Sequence, residues 1–543
     1  MKTFRKRLRR SARAEVFQEY CANSSIHGVR YFSRDERTSC ERFWWLVAFL
    51  LSMAGCGVMI YKTYVKWNEV PIIVTFSEKT TSAWDMQFPA ITICPETKMS
   101  SEKLNFTAEI NSLREMYLHT NTTPSDELAE QVKAVSQLCN DYFLSDNGFL
   151  KYINGTEDNI VGMLKNLSLE RGQTVFSCTY GNRYTYCQHY MVETITEEGL
   201  CYTFNMMPES EIFRKSSLHT EYNYTEDWFH YTDDWYHYMN QTSDIVPLYG
   251  KGAGLHAGLS LYLKHTKKDT DYMCSGFSQG YKLMIHDPDE YPQVSMRNMR
   301  LPFGHEISIA LKPQMIVTTK SAADYSWKKR QCFFNHERHL RFFKIYNQAN
   351  CELECLTNVT LALCGCVRFS MPRANDTKMC PLSKWECMFH AKWILGLITE
   401  HHSLHKEITD IVNRCNCLPA CRSVDYDVEI TQTLRDIDNY LRANNELPQD
   451  ISDKYLITTL AIYFKESYFI TSKRSELYGW VDFLANCGGL LGLFMGVSIL
   501  SLLEIFYFLT IRPFSVRKKA RIAEQRKPHE VHNSLLAVVR KAD

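Results

Sequence analysis

Apolar residues crowd two stretches of the chain and alternate with polar ones between them. The crowded stretches are Phe43 to Val65, "FWWLVAFLLSMAGCGVMIYKTYV", and Trp480 to Ile511. A run of about 20 apolar residues spans the roughly 30 Å hydrocarbon core of a bilayer, so each predicts a membrane-crossing helix rather than the core helix of a soluble domain. The first is too long for a signal peptide and sits behind a basic head of 42 residues. Between the runs, alternation predicts strands at Gly254–Thr266, "GLHAGLSLYLKHT", at His305–Thr319, "HEISIALKPQMIVTT", and at Asp425–Thr433, "DYDVEITQT". "FPAITIC", Phe88–Cys94, predicts a strand leading away from the first span. Helical spacing appears around Leu113–Leu118, over Asp126–Cys139 and across Trp385–Cys415. The expected class is an α+β membrane protein: two transmembrane helices and a long middle segment with apolar residues enough for its own core.

Charge orients this arrangement. The chain is balanced overall, 62 basic against 61 acidic residues, which gives no nucleic-acid signature. Its basic residues gather at the ends, with Lys2 to Arg42 before the first run and Arg512 to Lys541, "RKK" at Arg517–Lys519 included, after the second. Lys and Arg beside a span mark its cytosolic side. The expected organisation is therefore 1–42 cytosolic, 43–65 first span, 66–478 extracellular, 479–511 second span and 512–543 cytosolic, in a plasma membrane. Acceptor patterns for N-glycosylation agree with an outside middle: Asn105, Asn121, Asn154, Asn166, Asn223, Asn240, Asn358 and Asn375 all lie there. Asn23 also matches but lies in the basic head.

Of 20 cysteines, 16 fall between the spans, while Cys21, Cys40, Cys56 and Cys487 lie in the head and the spans. An oxidising compartment pairs such a set as disulfides. The block from Cys351 to Cys421 has CxxxC and CxC spacings that could suggest zinc. Zinc needs reduced thiolates, and sequons stand among these cysteines, so a disulfide framework without metal is expected. The segment His219–Asp244 is rich in Tyr, Trp, Asp and Glu. It carries His219, His230 and His237, which suits either a titrating sensor or a glycosylated peripheral insertion; the insertion is favoured. "HHSLHKE", His401–Glu407, lacks the glutamate directly after its first histidine that a zinc protease uses, and predicts a surface helix. No G-x-S-x-G, P-loop or kinase pattern occurs between the spans, so an enzyme has no residues to carry it.

The second span is unusual. As one helix, Trp480 to Thr510 would be about 46 Å long, more than the bilayer core, so it must tilt, break or project. Ala485, Gly489, Gly492 and Gly496 share one stripe, as in a helix-packing seam. Ser498 lies about 200° from Gly496, and an unbroken helix cannot aim both at one axis. Opening "GVS", Gly496–Ser498, into extended backbone would turn its carbonyls toward a central pathway, and non-helical backbone at this depth is tolerated only against a cavity or protein. Glu504, two turns on, would sit at the cytosolic mouth and attract cations. Two spans cannot enclose a pore alone, so several subunits are expected.

From about His27 to Glu504 these residues resemble the degenerin/epithelial sodium channel family, acid-sensing channels included. The resemblance is carried by "HG" at His27–Gly28, "FPAITIC", "YSWKKRQC" at Tyr325–Cys332 with the cysteines after it, and "ANCGGLLGLFMGVSILSLLE" at Ala485–Glu504. It implies a trimer, homomeric or mixed, with palm, β-ball, finger, thumb and knuckle. It also implies a sodium-preferring, usually amiloride-blocked pore, with sodium ions permeating and no cofactor. Gly496, Val497 and Ser498 match the selectivity tripeptide; Ala485, Asn486, Gly489, Gly492 and Glu504 fall in the gate and pore; His27 and Gly28 match a cytosolic gating motif. The implied disulfides are Cys94–Cys201, Cys178–Cys187, Cys332–Cys421, Cys351–Cys417, Cys355–Cys415, Cys364–Cys387 and Cys366–Cys380, with Cys139 and Cys274 left to pair with each other. That extra pair and the aromatic insertion lean toward a pickpocket-type branch. Trp327 matches a thumb residue thought to couple to the spans. Acid-sensing members have Asp where this chain has Asn486, and their paired carboxylates cannot be located here, so proton activation is not implied. The rival expectations are a purinergic-receptor-like channel, a receptor without a pore and a non-conducting auxiliary subunit.

Overall fold

The computed structural model describes residues 16–32, 38–69, 71–119, 125–153, 159–181, 183–184, 190–217, 246–397, 411, 414–444, 454–516 and 518. The chain divides into two units, one of Met1–Ile73 with Ser475–Asp543, the other of Val74–Arg474. The sequons Asn121, Asn154, Asn223 and Asn240, the cysteine Cys187, and the histidines His219, His230, His237, His401 and His405 lie outside the described residues.

The larger unit is built on strands β1 (Ile72–Ser82), β2 (Ala90–Pro95), β3 (Val175–Tyr180), β4 (Arg183–Tyr184), β5 (Met191–Thr196), β6 (Gly199–Phe204), β7 (Leu259–Thr266), β8 (Tyr281–His286), β9 (Met299–Leu301), β10 (His305–Thr318), β11 (Arg422–Leu434), β12 (Tyr455–Phe464) and β13 (Tyr468–Glu476). They form an eight-stranded sheet in the order β1-β13-β10-β12-β7-β3-β4, with β11 on β10, and a five-stranded sheet in the order β5-β6-β2-β8-β9. Alternation in the large sheet does what the period of a strand demands. Leu259, Leu261 and Leu263 of β7, Ile307, Ile309 and Leu311 of β10, and Leu460 and Ile462 of β12 all point into one core. Register joins them: Leu261 lies opposite Leu460, and Ile309 beside Ile462. The strand expected over Gly254–Thr266 starts only at Leu259, because Gly254 takes φ +86° and Leu255–Ala257 close a 3-10 turn.

In the small sheet β2 and β6 are buried on both faces, which is why "FPAITIC" is mostly apolar instead of alternating. Its polar members satisfy one another. Thr203 shares 2.9 Å hydrogen bonds with Thr92 and Thr194, and His286 Nε2 meets Thr92 Oγ1 at 2.8 Å. At its edge Lys98 and Lys282 converge on Glu198 at 2.8 and 2.7 Å. Burial alone would raise the Glu198 carboxyl; the two ammonium groups outweigh it and hold it at about 2. The helices Phe106–His119, Asp126–Ser136 and Ile160–Leu167 join the same core through Ile110, Leu113, Val132, Val135 and Leu164.

Two further helices, Gln348–Cys364 and Trp385–Leu397, form a stapled pair. Asn347 caps the first by accepting the Asn350 N–H, and Gly365 at φ +73° ends it. Cys364–Cys387 joins the two helices, Cys366–Cys380 closes the turn, and Cys351–Cys417, Cys355–Cys415 and Cys332–Cys421 descend from them as rungs. Cys94–Cys201 and Cys139–Cys274 complete the seven disulfides among the described residues. Cys178 is disulfide-bonded as well. The helix expected across Trp385–Cys415 is described as continuous only to Leu397.

In the smaller unit, Ser39–Glu69 is one helix of 31 residues. The second apolar run is two helices, Trp480–Met495 and Ile499–Leu509, the latter continuing helically to Val516. Ser39–Glu69 and Ile499–Val516 are each long and apolar enough to cross a membrane.

Candidate functional site

The interruption at Gly496–Ser498 is specified locally. Gly496 adopts the left-handed conformation, φ +66° and ψ 22°, and ends the helix Trp480–Met495; Ser498, at φ −121° and ψ 173°, caps the next helix by accepting the Ser501 N–H. The expectation of three extended residues is corrected in one respect: Gly496 turns left-handed, a conformation that costs a non-glycine residue about 1–2 kcal/mol. A serine three residues after Ser498 gives a reciprocal cap, with Ser501 Oγ accepting the Ser498 N–H at 3.1 Å.

Residues before the first span fold against this break. A helix at 16–23 and a 3-10 turn at Val29–Phe32 bury Cys21, Ile26 and Val29, which pack with Phe49, Val497 and Ile505. Between them the chain turns at Gly28, φ +87°. That turn delivers the His27 N–H to Met495 O at 2.8 Å, and the imidazole so close to Gly496 that a β-carbon there would lie 2.8 Å from ring atoms. Two residues earlier, Ser25 reaches Glu504. Its N–H and hydroxyl donate to Glu504 Oε2 at 3.2 and 2.9 Å, and its Oγ is 2.7 Å from Ser501 Oγ. Glu504 is thus hydrogen-bonded to the chain's own N-terminal segment, not left bare. Glu19 and Arg512 add a two-pronged ion pair at 2.9 and 2.5 Å.

The two spans meet through the first helix. Gly55 leaves room for Phe494, the Ser52 hydroxyl donates to Phe494 O at 2.6 Å, and Trp67 stacks on Phe483 with ring centres 5.1 Å apart. Ala485, Asn486 and Gly489 are exposed on Trp480–Met495, and a β-carbon at Gly489 would meet nothing within 4 Å; at Gly492 it would meet Val497 O at 4.0 Å. Among the described residues, Gly489 and Gly492 therefore pack against no other helix. His27, Gly496, Val497, Ser498 and Glu504 are brought together; Ala485, Asn486 and Gly489 stand apart from them, along the preceding helix. Sequence reasoning missed Ser25, Ser52 and Ser501. Only Ser501 left a local signal, its spacing from Ser498.

In the larger unit Asp287, Asp289 and Glu290, directly after β8, gather with Asp425 of β11. Burial pushes Glu290 up to about 7, with Arg297 opposing at 2.9 Å and the neighbouring carboxylates adding to the rise; burial raises Asp287 and Asp289 likewise. Asn347 donates to Asp289 Oδ1 at 3.3 Å. Trp327 starts a short helix, its ring 5.1 Å from that of Phe333. Among the sequons, Asn105, Asn166 and Asn375 are exposed and Asn358 is half-buried.

Two membrane-length helices, a break directly before the second and, between them in sequence, a disulfide-stapled α+β domain define a two-span membrane protein. The chain belongs to the amiloride-sensitive sodium channel family, whose sequence profile matches residues 20–508. It is therefore of a channel family and not an enzyme. Pickpocket protein 28 of Drosophila melanogaster is 28% identical over 523 residues, 94% of this chain and 80% of that protein. Sodium channel protein Nach of Drosophila melanogaster is 23% identical over 519 residues, 91% of this chain and 87% of that protein. Acid-sensing ion channel 2 of Homo sapiens is 23% identical over 518 residues, 92% and 87% respectively.

Proposed function

We propose that the chain is a sodium-preferring, amiloride-sensitive channel subunit of the plasma membrane, working as a trimer alone or with related subunits. Both termini, 1–42 and 512–543, lie in the cytosol and 66–478 lies outside, glycosylated at its exposed sequons. Sodium moves passively down its gradient along an axis lined by the second span, with Gly496, Val497 and Ser498 as the filter. Ala485 and the glycines after it form the gate, and Glu504 the inner mouth.

One observation carries this reading: in the middle of an apolar segment the N–H groups of Val497 and Ser498 leave the helical pattern, for Leu491 O and Ser501 Oγ, directly after the left-handed Gly496. Such backbone is stable at membrane depth only where it is buried in protein or lines a water-filled path, and carbonyls along such a path can replace part of an ion's hydration shell.

The test is expression of the full chain in a cell without such currents, carrying Ala485→Val so that bulk at the gate holds the pore open whatever the natural stimulus. A current that is blocked by amiloride and whose reversal follows external sodium supports the reading. A chain that reaches the surface and conducts only with a relative present is an auxiliary subunit, and one that never conducts is a receptor.

A further inference from the structure

A helix that stops inside an apolar span leaves its last carbonyls without their partners four residues on, and hydrocarbon offers no replacement. Around this break the carbonyls can be followed one by one. Gly492 O accepts the Gly496 N–H at 2.8 Å, and Leu491 O the Val497 N–H at 3.3 Å. Met495 O takes the His27 N–H. The Ser498 N–H has turned away to Ser501 Oγ, so Phe494 O, like Leu493 O and Met495 O, has lost its helical partner. Its donor is the hydroxyl of Ser52, 2.6 Å away on the first span. Gly55, one turn further along the same helix, lets the Phe494 ring approach: a β-carbon there would lie 3.3 Å from Cε1. The first span therefore holds Phe494 by its ring and by its carbonyl.

We propose that Ser52 is a positioning residue for ion selection, a role that rests on the filter assignment above. Its hydroxyl gives Phe494 O, deprived of the Ser498 N–H, a donor that hydrocarbon cannot supply. With the hydroxyl present, the backbone stays open and the carbonyls after Phe494 keep their direction. Without it, Phe494 O recaptures the Ser498 N–H and the helix rewinds through Gly496–Ser498. The His27 contact is made by main chain, so Ser52 is the side-chain donor that an ordinary substitution removes.

Thr and Val have the same shape and differ by the hydroxyl, so Ser52→Thr and Ser52→Val in the full-length Ala485→Val channel isolate it. The readout is the reversal potential as external sodium is replaced by potassium, with surface protein measured by biotinylation. The expected result is a sodium-to-potassium permeability ratio kept in Ser52→Thr and lowered about fivefold in Ser52→Val, the order expected for one neutral hydrogen bond. Ser52→Ala replaces the valine variant if valine fails to reach the surface. Equal ratios in the threonine and hydroxyl-free variants, whether both kept or both lost, overturn the proposal. Ser498→Ala separates the two levels. If it shifts the ratio and Ser52→Val does not, only the role of Ser52 falls; if neither shifts it, the filter assignment falls as well.

Discussion

Ser25 holds Glu504 through two hydrogen bonds to a single carboxylate oxygen, across a separation of 479 residues. The contact ties the segment before the first span to the inner part of the second. Hydrogen bonds to a charged group are worth about 1.5–3 kcal/mol each when unstrained. Ser25→Ala removes one and keeps the backbone donor, whereas Ser25→Asp sets a second carboxylate against the first. The expected outcome is a modest change in open-channel current for alanine and a loss of about tenfold or more for aspartate, at matched surface density; whole-cell recording measures both.

Gly496 is constrained twice, by φ +66° and by the His27 ring. Gly496→Ala is expected to abolish current while the protein still reaches the surface. Adding His27→Ala relieves the contact but not the dihedral strain of about 1–2 kcal/mol, so the double variant recovers only part of the current. Full recovery would mean that the ring alone sets the constraint.

Glu290 gives a pH dependence with a definite sign. Its carboxyl is raised in the fold to about 7 from 4.5, first by burial. Its contribution to stability is fully present below pH 4.5 and is lost as pH rises through about 7. Glu290→Gln imitates the protonated form. The variant should match the wild type at pH 4.5 and exceed it at pH 8 by on the order of 2 kcal/mol, a rise in Tm of a degree or two in a unit this large. Thermal unfolding of the detergent-purified protein at both pH values checks this, and a variant less stable at pH 8 contradicts it.

Glu198 behaves in the opposite sense. Lys98 and Lys282 hold its carboxyl at about 2 against burial, so its stabilisation is present above pH 4.5 and is lost as pH falls toward 2. Glu198→Gln leaves two largely buried ammonium groups facing an uncharged amide. Removing one member of a buried pair costs about 3–5 kcal/mol. The expected outcome is loss of surface protein at 37 °C, reduced when Lys98→Met is made in the same chain.

What could be foreseen from sequence was what local spacing controls. The alternation of β10 and β11, the helix that starts at Trp385 and the interruption around Gly496 all arise within a few residues of the amino acids that cause them, whereas the disulfide pairing comes from the family resemblance. The meeting of His27 and Ser25 with the second span has no such cause. It depends on where a turn at Gly28 sends the chain after the topology has placed the two ends side by side. The carboxylates Asp289 and Asp425 likewise gather because β8 and β11 end near each other, and nothing in their own neighbourhoods announces it. The strand expected from Gly254 failed at its start for a local reason, a left-handed glycine inside an alternating run.

The rungs from the stapled helices pair early cysteines with late ones: Cys332 with Cys421, Cys351 with Cys417 and Cys355 with Cys415. A protease that severs the peptide backbone anywhere between Cys387 and Cys415 therefore releases nothing. Both fragments remain one covalent body through three sulfur bridges, each fragment keeping its own membrane helix, and they separate on a gel only after reduction.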